Sequence, residues 1–349
     1  RRCHSCRGRR RLRSLLHFLQ SQGRLSAELS SVMKTKTFDP AGVIFGVVVP
    51  VLAAALGVIV ARLWSARLPD QIATHWSGTQ PDGFTSPTTS AWTLAIVTVI
   101  VGGGCSAVAA LAHALLLMRR TMLMIGLTVV GLITVLQLAI LARQLDATDV
   151  GSVEVPGWAL GVGTAVGFSV GLLGASLLRD YRERVPADAP PPEALPRADE
   201  ELPIIESLGA GRVALVVLFA ILGAGAALTC WLSQSWWPIA IFLPLAVLPV
   251  SLMRYELVVD RSGLHISSLG MAAFDYSLDE ITGASVREVD PFGDFGGWGL
   301  RVKGRGNYAV ATAKGPAVFV TFANGERLTV TTPNADRIAG ALNTLASQR

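Results

Sequence analysis

Between residues 42 and 253 the chain alternates long apolar runs with short polar breaks; after that the texture changes to short strand-like alternation. A helix that crosses a bilayer needs about 20 apolar residues. Runs at 42–64, 92–118, 122–142, 157–178, 213–232 and 236–253 meet or approach that length. They predict an α-helical polytopic membrane protein of about six spans. Pro50 is expected to kink the first span, and Gly102, Gly103 and Gly104 to bend the second. His113 falls near the end of that second span, and Arg119 and Arg120 are expected in a tight basic turn behind it. Gln137 is the strongly polar residue of the third span, expected as an interhelical hydrogen-bond partner. Gly163, Gly167 and Gly171 recur every four residues along the fourth, which predicts a face for close helix approach.

The segments outside these runs divide the chain further. Residues 33–178 read as a four-span region with a polar outer loop at 65–91. Residues 179–212 hold prolines 186, 190, 191, 192, 196 and 203 among mixed charges and read as an exposed cytoplasmic linker. Residues 213–253 form a two-span hairpin. From 254 to 349, strands are predicted at 255–260, 264–268, 283–289, 299–303, 308–312, 317–322 and 327–331. The last two face each other across Asn324–Gly325, a strong hairpin signal. A helix follows Thr332–Pro333, with Ile338, Leu342 and Leu345 on one face. This predicts a small antiparallel β-barrel or sandwich closed by a helix.

Composition agrees with the pattern. The chain is 51% hydrophobic and 16% charged, against about 25% charged in soluble domains. Its net charge of +5 is set by residues 1–32, which carry eight arginines against one acid, Glu28. That segment is expected to be a disordered or mis-started leader, with Met33 resembling a start. The main body has no basic excess, so no nucleic-acid partner is expected. Cys3 and Cys6 make a lone CxxC beside His4 without a second pair at zinc spacing, and Cys105 and Cys230 lie in apolar runs. The Lys/Arg distribution places both termini in the cytoplasm and the 65–91 loop outside.

Candidate chemistry concentrates in that loop. Pro69 and Gly83 set turns, Asp70 and Asp82 suit backbone caps, and Trp76 and Phe84 suit the membrane interface. His75 with Asp70 and Asp82 would be a minimal metal-ligand set. The same His75 could serve as a general base, but no partnered nucleophile is evident. The Gly-rich stretch 293–299 lacks the Lys-Ser/Thr ending of a phosphate loop.

Leu68-Pro69-Asp70, Ile72, His75-Trp76 and Pro81-Asp82-Gly83-Phe84 resemble the motif of domain of unknown function 1648, over roughly residues 45–115. That domain occurs in SdpI-like membrane proteins. The interval from His75 to Asp82 is one residue shorter than the pattern, and a glycine falls at Gly78. The resemblance implies a bacterial plasma-membrane protein. Relatives include an immunity protein that protects a cell from its own secreted toxin and sequesters a repressor at the membrane. The C-terminal part resembles a bacterial pleckstrin-homology-type domain through 255–268, 297–301 and the closing helix.

Together these features imply a non-enzymatic sensor, immunity or signal-transducing protein. Its loop would recognise a secreted peptide or envelope ligand, with Pro69, Asp70, His75, Trp76, Asp82 and Gly83 as the recognition motif. Residues 254–349 would bind a cytoplasmic protein, and the lipid bilayer is the remaining partner. No cofactor is expected. The alternatives are a metal-dependent membrane enzyme centred on His75, or a transporter. The predicted spans lack interior Asp or Glu, which lowers the transporter reading.

Overall fold

Asp39–Pro40 starts the first helix as capping rules require. The Asp39 carboxylate accepts from the N–H groups of Ala41 (2.9 Å) and Gly42 (3.4 Å), and Pro40 takes the first helical position. In the computed structural model, which describes residues 37–349 apart from 79 and 305, helix α1 then runs Pro40–Leu63. The basic leader 1–32, with Cys3, His4 and Cys6, lies outside the described residues. A hairpin of β1 (Ile72–Trp76) and β2 (Pro81–Thr85) leads to α2 (Pro87–Ala110), α3 (Leu116–Arg143) and α4 (Trp158–Leu177). Strand β3 (Ile204–Gly209) precedes α5 (Arg212–Ser233) and α6 (Ile239–Met253). Five of these helices are long and apolar enough to cross a membrane, and α6, at 15 residues, is a shorter apolar helix. The chain is therefore described as a multi-pass membrane protein.

Two helix boundaries differ from the sequence reading. Helix α2 stops at Ala110, and α3 begins at Leu116. His113 lies in the turn between them. Arg119 and Arg120 are in the first turns of α3, not in a basic turn. Apart from His113 the stretch 111–118 is apolar, so its hydropathy gave no sign of the break.

Arg119 is wholly buried, and so is Asp39. The Arg119 guanidinium donates from Nη2 to the Asp39 carboxylate, from Nε to the Ala109 carbonyl (3.1 Å) and from Nη1 to the Arg179 carbonyl (2.9 Å). Asp39 also accepts from the Arg179 N–H (3.2 Å). One side chain of α3 thus joins the start of α1, the end of α2 and the exit of α4. The planar fork of arginine suits this, because its donors leave in fixed directions. Glycines set the spacing elsewhere. A Cβ at Gly131 would lie 2.5 Å from the Gly167 Cα, and one at Gly163 2.7 Å from the Leu132 Cα. Gly163, Gly167 and Gly171 therefore pack α4 on α3 within the bundle. Gln137 presses on Gly57 of α1, but its amide nitrogen has no hydrogen-bond partner among the described residues.

The β-rich part is discontinuous in sequence. Strand β3 falls inside the proline-rich stretch and pairs antiparallel with β4 (Arg254–Val259), from Ile204↔Val259 to Gly209↔Arg254. The α5–α6 hairpin is an insertion between these neighbours. Strands β5 (Gly263–Ser268) and β6 (Met271–Ser277) complete a four-stranded sheet in the order β3-β4-β5-β6. Strand β6 was not foreseen. A five-stranded sheet has the order β7-β10-β11-β9-β8, from Ile281–Val289, Gly315–Phe322, Arg327–Thr331, Asn307–Ala311 and Gly299–Val302. Its β11–β9 pair is parallel and its other pairs are antiparallel. The expected hairpin across Asn324–Gly325 is present. A five-residue helix α7 (Pro291–Phe295) links β7 to β8, and α8 (Ala335–Ser347) follows β11. The two sheets share one core with Ile338 and Leu342 of α8, and they form no closed barrel.

The segment from 179 to 203 has little regular structure but is bonded to the β-rich part along its length. Arg182 stacks on the Tyr276 ring (3.7 Å to its centroid) and donates to the Asp275 carbonyl. Arg184 pairs with Asp275 (2.9 Å) and Glu280 (3.2 Å). Asn343 of α8 donates to the Pro196 carbonyl at 2.8 Å.

The buried pair yields a prediction. Arg119→Leu strands the Asp39 carboxylate and two carbonyls, and breaking one half of a buried pair costs about 3–5 kcal/mol. Denaturant unfolding in detergent should show a loss of that order. Asp39→Asn with Arg119→Leu should recover part of it, because no charge is then left unpaired.

Candidate functional site

The β1–β2 hairpin stands at the opposite end of α3 from Arg119. Leu68 and Ile72 bury it against Ala61 of α1, Ala91 of α2 and Leu141 of α3. The buried Gln144 side chain, just beyond α3, does the rest. Its Oε1 accepts from the Ala73 N–H (2.7 Å), and its Nε2 donates to the Ala73 carbonyl (3.0 Å) and the Ile140 carbonyl (3.2 Å). A carboxamide offers the same donor–acceptor pair as a peptide, so Gln144 stands in for a neighbouring strand. The Trp76 indole N–H donates to the Val153 carbonyl at 2.9 Å, tying the hairpin to the loop between α3 and α4. Arg67 pairs with Asp146 in the same region, both side chains exposed.

The hairpin register is Ile72↔Thr85, Ala73↔Phe84, His75↔Gly83 and Trp76↔Pro81, with irregularities on either side of His75. Gly83 is required by close approach: a Cβ there would lie 2.7 Å from the His75 Cβ. Its absence lets His75 Nδ1 meet Asp82 Oδ1 at 2.7 Å, while the Ser77 hydroxyl donates to the other Asp82 oxygen. Ser77, and then His75, hold the Asp82 carboxyl below its ordinary range. His75 is largely exposed, its side chain 70% accessible. Ser86 caps α2 by accepting from the Thr89 N–H at 3.2 Å.

Of the residues singled out in the sequence, the fold joins His75, Asp82 and Gly83. Trp76 points to the second loop, Pro69 precedes the hairpin, and Asp70 is exposed beside it. Among the described residues, no group of three or more His, Cys, Asp or Glu converges as metal ligands. The cluster is a hydrogen-bonded, solvent-facing triad of Ser77, Asp82 and His75, able to donate and accept on an open surface. Gln144, Val153 and Ser77 were missed by sequence reasoning. Gln144 resembles any polar residue that ends a span, and Val153 contributes only its backbone.

Two outcomes follow. Gln144→Ala leaves both Ala73 groups unpaired, at about 1–3 kcal/mol for each buried group. Gln144→Glu should also destabilise, because a carboxylate cannot donate to the Ala73 carbonyl; thermal unfolding of both variants checks this. For Asp82, a lowered folded pKa gives stability that is present above the unfolded value and lost as pH falls through the folded one. The melting advantage of wild type over Asp82→Asn should therefore shrink in acid, below about pH 4.

A family model described as a domain of unknown function, DUF1648, matches residues 51–99. The match spans the second half of α1, the whole hairpin and the first half of α2, and it includes all six motif residues. No curated protein and no solved structure matches the chain.

Proposed function

We propose that the chain is a non-enzymatic membrane sensor of the SdpI-like type. Its β1–β2 hairpin recognises a secreted peptide or envelope ligand, and its β-rich part binds a cytoplasmic protein. The observation that carries this reading is the reach of α3. Its outer end meets the hairpin through Leu141 and the adjoining Gln144. Its first turn buries Leu117 in the core of the β-rich part. A continuous 28-residue helix therefore touches both the candidate recognition surface and the candidate output domain. The hub at Arg119 fixes where the segment after α4 leaves the bundle, and Arg182 and Arg184 carry that segment onto β6. A ligand that shifts the hairpin can then bias the β-rich part through packed, hydrogen-bonded elements.

In this reading α6 completes a sixth span, both termini are cytoplasmic and the hairpin faces outward. The positive-inside rule supports that orientation through Lys34, Lys36, Arg119, Arg120, Arg179, Arg182, Arg184, Arg212 and Arg254. The C-terminal part takes the role of the pleckstrin-homology-type domain it resembles.

Two experiments test the proposal. With Gln80→Cys as the sole cysteine, an impermeant maleimide should label intact cells; labelling only after permeabilisation overturns the orientation. In cells lacking the chain and challenged with secreted peptides or envelope stress, His75→Gln should restore tolerance nearly as well as wild type. Trp76→Ala should restore less, because it loses a hydrogen bond of about 1 kcal/mol as well as its ring packing. Abolition by His75→Gln, with one zinc per chain lost from the purified protein, would replace the sensor with a metal-dependent enzyme.

A further inference from the structure

Two large aromatic rings stand exposed on the β-rich part at the end of α6. Phe292 is 59% accessible and Trp298 63%. The rings meet edge to face, with centroids 4.9 Å apart and planes at 80°. Both belong to the β7–β8 connection. Asp290 caps α7 by accepting from Phe292 N–H (3.1 Å) and Gly293 N–H (3.4 Å), and Gly296, Gly297 and Gly299 all have positive φ. Trp298 is thus the one residue with a side chain in a glycine run whose backbone few other residues could follow.

The position of this loop is fixed by the buried Tyr255. Its hydroxyl donates to the Leu252 carbonyl in the last turn of α6 (2.7 Å) and accepts from the Leu300 N–H (3.2 Å). A Cβ at Gly299 would lie 3.0 Å from that same Leu252 carbonyl. Trp298 is therefore held beside the final turn of α6, whose Leu252 and Met253 are themselves exposed. Four exposed apolar side chains, Leu252, Met253, Phe292 and Trp298, thus belong to segments joined at the end of α6.

We infer that Phe292 and Trp298 anchor the β-rich part in the bilayer interface beside α6. This rests on the reading that the α5–α6 hairpin lies in the bilayer. An indole suits that level because its ring enters the acyl boundary while its N–H meets headgroup oxygens. The anchor is aromatic rather than electrostatic. Of the nearby cations, Lys303 donates to the Asp294 carbonyl at 2.7 Å, Lys314 pairs with Asp290 at 3.3 Å, and the half-buried Arg301 folds its guanidinium against Gly297. Zwitterionic and anionic membranes should then serve equally.

The test uses the full chain in phosphatidylcholine vesicles whose acyl chains carry bromine, a short-range quencher of tryptophan. The emission lost in Trp298→Phe is the Trp298 component. The emission lost in Trp231→Phe reports α5, because Trp231 is exposed on that helix. Both components should be quenched by bromolipid and resist aqueous iodide, and adding anionic phosphatidylglycerol should leave Trp298 unchanged. Quenching of Trp231 but not Trp298 overturns the anchor and leaves the topology standing. Quenching of neither overturns both. Quenching of Trp298 only with phosphatidylglycerol overturns the aromatic anchor in favour of a charge-driven contact.

Discussion

The Asp39–Arg119 pair is the constraint on which the membrane region depends. A guanidinium wholly removed from water is tolerable only when its donors are all engaged, because an unpaired buried charge is destabilising by several kcal/mol. Here the partners come from the first residues of α1, the last of α2 and the exit of α4. No pair of helices alone can supply them. The requirement therefore fixes the mutual level of four helices at one end of the bundle, where hydrocarbon-to-hydrocarbon contact would specify little. Glycine faces then set the distance between α3 and α4, and the bonds from Arg119 and Asp39 to the Arg179 backbone tie the exit of α4 to the same level.

The β-rich part is bound to that same end by covalent and packing constraints together. Strands β3 and β4 lead directly into and out of α5 and α6, and the Ala210 N–H donates to the Met253 carbonyl at 2.9 Å. Leu117 enters its core from α3. The Tyr276 ring stacks between Arg182 and Phe322, and burial pushes its hydroxyl pKa up, so it stays protonated and donates to Glu326 at 2.8 Å. Burial raises the Asp275 pKa, but Arg184 and His265 outweigh it, and the carboxyl stays below its ordinary range. Charge and stacking thus hold the 179–184 segment against β6.

Much of this was legible in the sequence, and what was hidden has physical reasons. Apolar run length is a local property, so the long helices were evident. The break at 111–115 was not, because one histidine, His113, among leucines and alanines does not interrupt an apolar run. Alternation and Asn324–Gly325 revealed most strands, but β3 follows a proline cluster and finds its partner only beyond two intervening helices. Arg119 read as a marker of topology; composition cannot say that a charge is buried against an acid far away in the chain. At the hairpin, the types of His75, Asp82 and Gly83 were conspicuous, and Gly83 proved to be what lets the other two meet. The groups that dock the hairpin were inconspicuous because they are a neutral amide and a backbone carbonyl.

That neutrality has a consequence for where such a hairpin can work. The Gln144 carboxamide has no proton to gain or lose between mildly acidic and alkaline pH, and dissolved ions do not screen its hydrogen bonds as they screen a surface charge pair. The exposed Arg67–Asp146 pair nearby will weaken in brine, but the Gln144 clasp on Ala73 will not. The hairpin's seat is thus indifferent to the ionic strength of the solution it meets, while the triad at its tip remains free to respond to it.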